Sequence, residues 1–247
     1  MAAMAVVTEL DKDGVKGLDP VRKVSLSRLV AERIREGILK GTIRPGQSLT
    51  EEDLARMLGV SRSPVRQALM QLEFEGLIRR DQNQAATVVT MSAADVEEVC
   101  SFRLALETLA IRYAVDRARP EDLENLDRIA RQHSQSARSG ESLARLVELD
   151  LAFHEQLVNL SGHTRVLAAW QSIKYQISFL MFTCDIVGHD EFPSLMETWH
   201  SEIVEGIRRK DPAWCTRHLR MHLENVHTLL SGRHAEQALS TTEEPHV

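Results

Sequence analysis

Aromatic residues make up only 4% of the 247-residue chain, and glycine and proline number just 12 and 7. Beside 43% hydrophobic and 27% charged residues, these shortages give the composition of a helix-rich globular protein and leave disorder to the ends. Cysteine is rarer still. Cys100, Cys184 and Cys215 are odd in number and far apart, which argues against a disulfide framework or a Cys-x-x-Cys metal site and for three reduced residues in or near a core. The start, MAAMAVVTELDKDG, lacks a basic segment leading into a long apolar core, and no later stretch reaches the ~18 uncharged apolar residues of a membrane span. A cytoplasmic protein with no membrane partner is expected.

What the chain does have is length and uneven charge. Its 247 residues suit two domains better than one. The net charge is −6, yet residues 21–80 hold 12 Lys or Arg against 7 Asp or Glu, a net of +5 that leaves −11 for the rest. A basic module joined to an acidic one is the reading. Such a charge permits nucleic-acid binding if the positive groups share a face.

In the basic module, SLSRLVAERIREGILKGTI places Leu26, Leu29, Val30, Ile34, Ile38 and Leu39 at helical spacing, with Gly41 suited to end the helix. A turn on Pro45 and Gly46 follows. Thr50 can then cap a second helix whose first turn is acidic, and Gly59 breaks it. Ser63 can cap a third helix, with Pro64 in its first turn, running to about Gly76. Two short helices about a glycine turn form a helix-turn-helix, whose second helix offers its first turn to base edges in the major groove. Arg62 and Arg66 stand there, where a planar guanidinium can grip a guanine edge or a phosphate; as isolated residues they could also be solvated surface charges. LIRRDQNQAATVVTMS reads as two short strands with a polar tip, a wing.

The run RPGQSLTEEDLARMLGVSRSPVRQALMQLEFEGLIRR resembles the DNA-binding domain of the GntR family of bacterial transcription regulators, over about residues 25 to 92. The resemblance implies that Arg62 and Arg66 touch DNA, with Ser61 and Ser63 as supporting contacts. Two positions depart from the family pattern. An Arg-Gly pair is common at the wing tip, whereas this chain has Gln84 and Ala85, and a side chain at Ala85 limits close backbone approach. Glu52 stands where some relatives carry arginine, so no phosphate contact is assigned there.

From Ser92 onward, turn signals divide the chain into helical segments at about 92–118, 121–138, 141–160, 164–186, 191–209 and 212–231, which predicts an antiparallel bundle of about six helices. The stretch ELDLAFHEQL puts Asp150 and His154 four residues apart on one helix face. Alone, this spacing is most simply an ion pair. His200 and His222, near apolar residues on the last two helices, could join them in a nitrogen and oxygen shell for zinc or another divalent transition metal, while His218 forms a competing pair with His222.

DLAFH, WHSEIVEGIRRKDPAW and RMHLENV resemble the ligand-binding FCD domain of the FadR subfamily of GntR regulators, over roughly residues 95 to 232. The resemblance implies a metal held by Asp150, His154, His200 and His222. Zinc is the expected ion, with nickel or manganese as alternatives. Arg103, in SFRLALETLA, matches a family arginine that would pair with a carboxylate effector; a salt bridge to Glu107 one turn later is the competing use. Trp170, Tyr175, Phe179 and Phe182 are expected as core or pocket wall.

The expected organisation is an N-terminal tail over 1–24, a winged helix-turn-helix domain over 25–92, an all-helical effector domain over 93–232 and a C-terminal tail over 233–247. The expected protein is mainly α and not an enzyme. It would be a homodimeric regulator binding pseudo-palindromic double-stranded operator DNA and sensing a small organic acid, whose oxygens would meet the metal. Rival readings are a metal-dependent hydrolytic enzyme with a DNA-binding appendage and a DNA-binding protein whose metal is purely structural.

Overall fold

The computed structural model describes residues 25–80, 85–184 and 199–242, the last ten of these as backbone only. Helix α1 (Leu26–Leu39) starts at Ser25, whose hydroxyl accepts the Arg28 amide, and ends before Gly41 with its φ of 73°. It buries Val30, Ala31, Ile34, Arg35 and Ile38. Leu26 and Leu29, expected on the same face, are half exposed because their side of the first turn meets no neighbour in the apolar cluster.

Helices α2 (Glu51–Leu58) and α3 (Arg62–Phe74) flank Gly59, whose φ of 65° lets the chain turn at a position where L side chains are strained. Thr50 caps α2 through the Asp53 amide, as its position predicts. The cap of α3 falls on Ser61 rather than Ser63, and its side chain makes no cap hydrogen bond. Arg62 is thus the first helical residue, and Pro64 still lies in the turn where amides have no helical partner.

The predicted wing strands are β2 (Ile78–Arg79) and β3 (Ala86–Val88), paired antiparallel with Ile78 opposite Val88. A third strand, β1 (Ser48–Leu49), was not expected; it pairs with β3 and gives the order β1-β3-β2. Two residues are too few for a periodic signal, and only Leu49, buried against the helices, marks the strand. Gln84 lies outside the described residues, while Ala85 is half-buried at the start of β3's approach.

Ser92 and Asp95 form a reciprocal capping box that opens α4 (Ala93–Arg117). Then come α5 (Pro120–Arg138), with Pro120 in its first turn, α6 (Leu143–Leu160), α7 (Thr164–Thr183), α8 (Trp199–Arg208) and α9 (Pro212–Thr242). The last helix runs well past the expected end near residue 231. Helices α5 and α6, α6 and α7, and α8 and α9 pack as neighbours, while α4 lies against α6, α7 and α9. Short connections make consecutive partners antiparallel.

Helix α6 serves two apolar clusters. Leu146, Val147 and Val158 join Trp170, Ile177 and Val226, whereas Phe153 and Leu157 join Leu126, Ile203 and Leu219. The cysteines are free, with Cys184 and Cys215 buried and Cys100 half-buried. Phe179 of α7 belongs to the apolar cluster of the N-terminal module, so the two modules share packing.

Candidate metal centre and nucleic-acid interface

Four side chains from three helices converge inside the bundle. Asp150 and His154 come from α6, His200 from α8 and His222 from α9, and none is more than 2% exposed. His154 Nε2 stands 3.0 Å from His222 Nε2 and 3.3 Å from His200 Nε2. Asp150 Oδ1 lies 3.5, 3.4 and 3.7 Å from the Nε2 atoms of His154, His200 and His222. Although so close to three nitrogens, Asp150 Oδ1 makes no hydrogen bond of good geometry. Proximity without hydrogen bonds is how ligands look when they face a common point.

The spacing suits a small ion. Four ligands at ~2.0 to 2.2 Å around a tetrahedral centre stand about 3.3 to 3.6 Å from one another, and the separations of 3.0 to 3.7 Å given above bracket that range. Together, one carboxylate oxygen and three imidazole nitrogens fit a borderline divalent ion better than a hard one, which prefers an all-oxygen shell. The residues present therefore fit the metal that the sequence resemblance implies.

Around the cluster lies a second layer. Glu107 of α4 is fully buried; its Oε2 meets His154 Nδ1, and its Oε1 accepts from Arg103 Nε at 2.8 Å and Trp170 Nε1 at 2.9 Å. Arg103 Nη2 reaches Asp150 Oδ2 at 3.3 Å. Arg103 thus makes the salt bridge to Glu107 and also holds the non-facing oxygen of Asp150. Burial alone would raise both carboxyls, but His154 and Arg103 outweigh it, holding Glu107 down to about 2 and Asp150 well below its usual value. For His154 burial opposes the charge and Glu107 outweighs it, so its pKa is raised. Burial drives His200 down to about 3 and His222 to about 4. His218 stands apart, stacked on Trp214 and paired with Glu202 at 3.0 Å.

From the sequence, Glu107 stands out only as a rival partner for Arg103, and His133 does not stand out at all. That residue, on α5, is fully buried with its ring 4.9 Å from that of His200. Glu107 was legible as a carboxylate one turn from Arg103; nothing local distinguishes His133 among ten histidines.

At the other end of the molecule, Arg62 and Arg66 are exposed one turn apart at the start of α3, and each meets an acid of α2. Arg66 binds Glu51 through Nε and Nη2 at 3.0 Å, and Arg62 pairs with Glu52. Ser61 and Ser63 are exposed beside them. Arg80 of the wing donates to the Arg66 carbonyl at 3.1 Å, tying the wing to this helix. Ion pairs as exposed as these contribute little in water and exchange readily for other anions.

Fold and site define a class: a DNA-binding regulator with a winged helix at one end and an all-helical domain at the other. Residues 26–88 match the profile described as bacterial regulatory proteins of the gntR family, and residues 98–225 match the FCD domain. The chain belongs to the GntR family, in its FCD-domain branch. Similar proteins include an uncharacterized HTH-type transcriptional regulator, YdhC, of Bacillus subtilis, 29% identical over 195 residues, covering 78% of this chain and 85% of that protein. The regulator McbR of Escherichia coli is 26% identical over 220 residues, 89% of this chain and 87% of the relative, and a gluconate operon transcriptional repressor of Bacillus subtilis is 26% identical over 208 residues, 83% and 84%. Among solved structures, E. coli McbR/YncC superposes with a TM-score of 0.74 at 21% identity over 85% of this chain and 99% of that one, which shows the shared fold. These relatives are transcription regulators rather than enzymes. No described helix is long and apolar enough to cross a membrane.

Proposed function

We propose that the protein is a homodimeric repressor or activator of operator DNA whose affinity is set by a small organic acid bound in a zinc-containing helical domain. The convergence of Asp150, His154, His200 and His222 carries this reading, because four buried ligating groups facing one point are costly unless something binds there. Zinc suits three imidazoles and one carboxylate; nickel and manganese are the ions that elemental analysis would tell apart. When bound, the ion would supply positive charge and a Lewis-acidic point for an oxygen donor. A relative named for a gluconate operon supports a hydroxycarboxylate as the effector class.

Arg103 would meet the effector's carboxylate by giving up part of its hold on Glu107 and Asp150. Among the described residues, the cavity beside Arg103, walled by Val99, Ile177 and Leu223, has a volume of about 10 Å³, room for about one water. An acid can enter only if the helices part. That requirement gives the effector different affinities for two arrangements of the bundle, the condition for any ligand to shift DNA affinity.

A route to the DNA end is built into α7. Lys174 bonds Glu155, next in sequence to His154, at 3.1 Å, and lies 5.0 Å from the centre of the Tyr175 ring. The guanidinium of Arg35 sits 4.2 Å from the centre of the same Tyr175 ring and forms a buried bidentate pair with Glu75 at the end of α3. Gly76, with φ 69°, leaves space that a Cβ would take from Gln176. Movement of α6 and α7 therefore reaches the recognition helix through packed groups.

For the dimer, Phe102, Leu109 and Tyr113 expose apolar surface along α4 and Met221 does so on α9, which packs along it. We assign this face to the second copy, which sets two recognition helices against the halves of a pseudo-palindrome. The test is selection of genomic DNA fragments by the zinc-loaded protein, followed by anisotropy titrations with and without candidate hydroxy acids. Saturable binding to a two-fold symmetric site that one acid class shifts is expected; binding with no sequence preference overturns the reading.

A further inference from the structure

His133 is wholly buried, and neither of its ring nitrogens makes a hydrogen bond of ordinary geometry. An imidazole so placed is costly unless a partner arrives. Beside it stands His200, whose Nε2 faces Asp150 and His154 and whose Nδ1 is likewise buried without a hydrogen bond. The two rings are 4.9 Å apart between centroids and inclined by 38°.

A histidine that ligates through Nε2 keeps its proton on Nδ1 and almost always donates it to an outer partner, which fixes tautomer and ring orientation. His154 has such a partner in Glu107. Among the described residues, His133 adjoins His200 with both ring nitrogens unused, whereas His222, equally near, turns its Nε2 to the cluster. We propose that His133 is the positioning residue for His200, its unprotonated nitrogen accepting the His200 Nδ1 proton directly or through one buried water when a cation occupies the cluster. This rests on the metal reading above.

Charge and surroundings agree with that role. Only a neutral imidazole has an acceptor nitrogen, and a wholly buried site such as that of His133 disfavours the charged ring. The backbone of Leu146 lies beside the ring, where its carbonyl would accept the proton on His133's other nitrogen. The resulting chain runs from α8 through α5 to α6, the helix that carries Asp150 and His154 one and two turns after Leu146.

The full-length protein tests this with His133→Phe and His133→Gln. Zinc affinity is read by competition with a chromophoric chelator, and ligand geometry by the d–d absorption of the cobalt-loaded protein. His133→Phe should weaken zinc binding about 10- to 100-fold and alter the cobalt spectrum, while His133→Gln, which keeps an acceptor oxygen, should recover most of both. Metal-free His133→Phe should melt no lower than the metal-free parent, since an unserved polar ring has gone; the loaded variant should melt lower. Equal losses in both states would make His133 merely structural and overturn the proposal, as would unchanged zinc affinity in a parent that binds zinc. A parent that takes up no zinc, nickel or manganese would overturn the metal reading itself.

Discussion

The recognition helix and the buried cluster use the same chemistry, cations against carboxylates, in opposite surroundings. Arg62 and Arg66 pair with Glu52 and Glu51 in water, their side chains 61% and 63% exposed. Arg103, Glu107, Asp150 and His154 pair where none is more than 4% exposed. In water a pair is weak and a phosphate or base can replace the carboxylate. Inside the bundle a charge that loses its partner is stranded at high cost. The first arrangement suits a surface that must exchange partners; the second suits one that must hold an ion or ligand in a fixed place.

The sharpest way to break this contrast is to empty the buried side. A His154→Ala, His200→Ala double variant should lose bound metal from about one ion per chain to background by elemental analysis, and chelator should then no longer lower its melting temperature. Unchanged stoichiometry would remove these residues from the site. Next comes the exposed side. Arg62→Ala with Arg66→Ala should weaken operator binding by about 100-fold or more, given ~1 to 3 kcal/mol for each good bidentate base contact, with melting unchanged. A large fall in stability instead would contradict the exchangeable character of their ion pairs.

Acid sharpens the difference further. His133, His200 and His222 are held neutral in the fold at pKa values of about 3, 3 and 4, below the 6.5 of an ordinary histidine. The unfolded chain therefore binds more protons than the native one between those limits, so native stability falls as pH drops from about 6.5 toward 4. Melting of the metal-free protein against pH should show this slope, and His200→Phe with His222→Phe should flatten it. The smallest effect is expected at Glu52→Gln. Freeing Arg62 of a competing carboxylate should raise operator affinity a few-fold, roughly the scale of one exposed ion pair, and equal or weaker binding would mean that Glu52 positions Arg62 for DNA.

Much of this was readable in advance because it depends on local pattern. The cap at Thr50, the left-handed Gly41 and Gly59, and the apolar spacing of each long helix are short-range signals. Asp150 and His154 share a face by helical geometry alone. Where the reading slipped, the signal was short or non-local. Strand β1 is two residues long, the cap of α3 differs by two positions between equally good serines, and α9 continues through a polar sequence that composition marked as tail.

The sequence by itself determined the helices, the helix-turn-helix and the charge split, since these follow from neighbours a few residues apart. It supplied four metal-ligand candidates but no distance between the helices that carry them. Only the tertiary structure decided that His200 and His222 reach Asp150 and His154 while His218 turns away to Trp214. It alone set Glu107 behind His154, His133 behind His200 and Tyr175 under Arg35. Side chains separated by tens of residues meet through the packing of whole helices, and that packing is fixed by the apolar surfaces of the entire chain rather than by any one stretch of it.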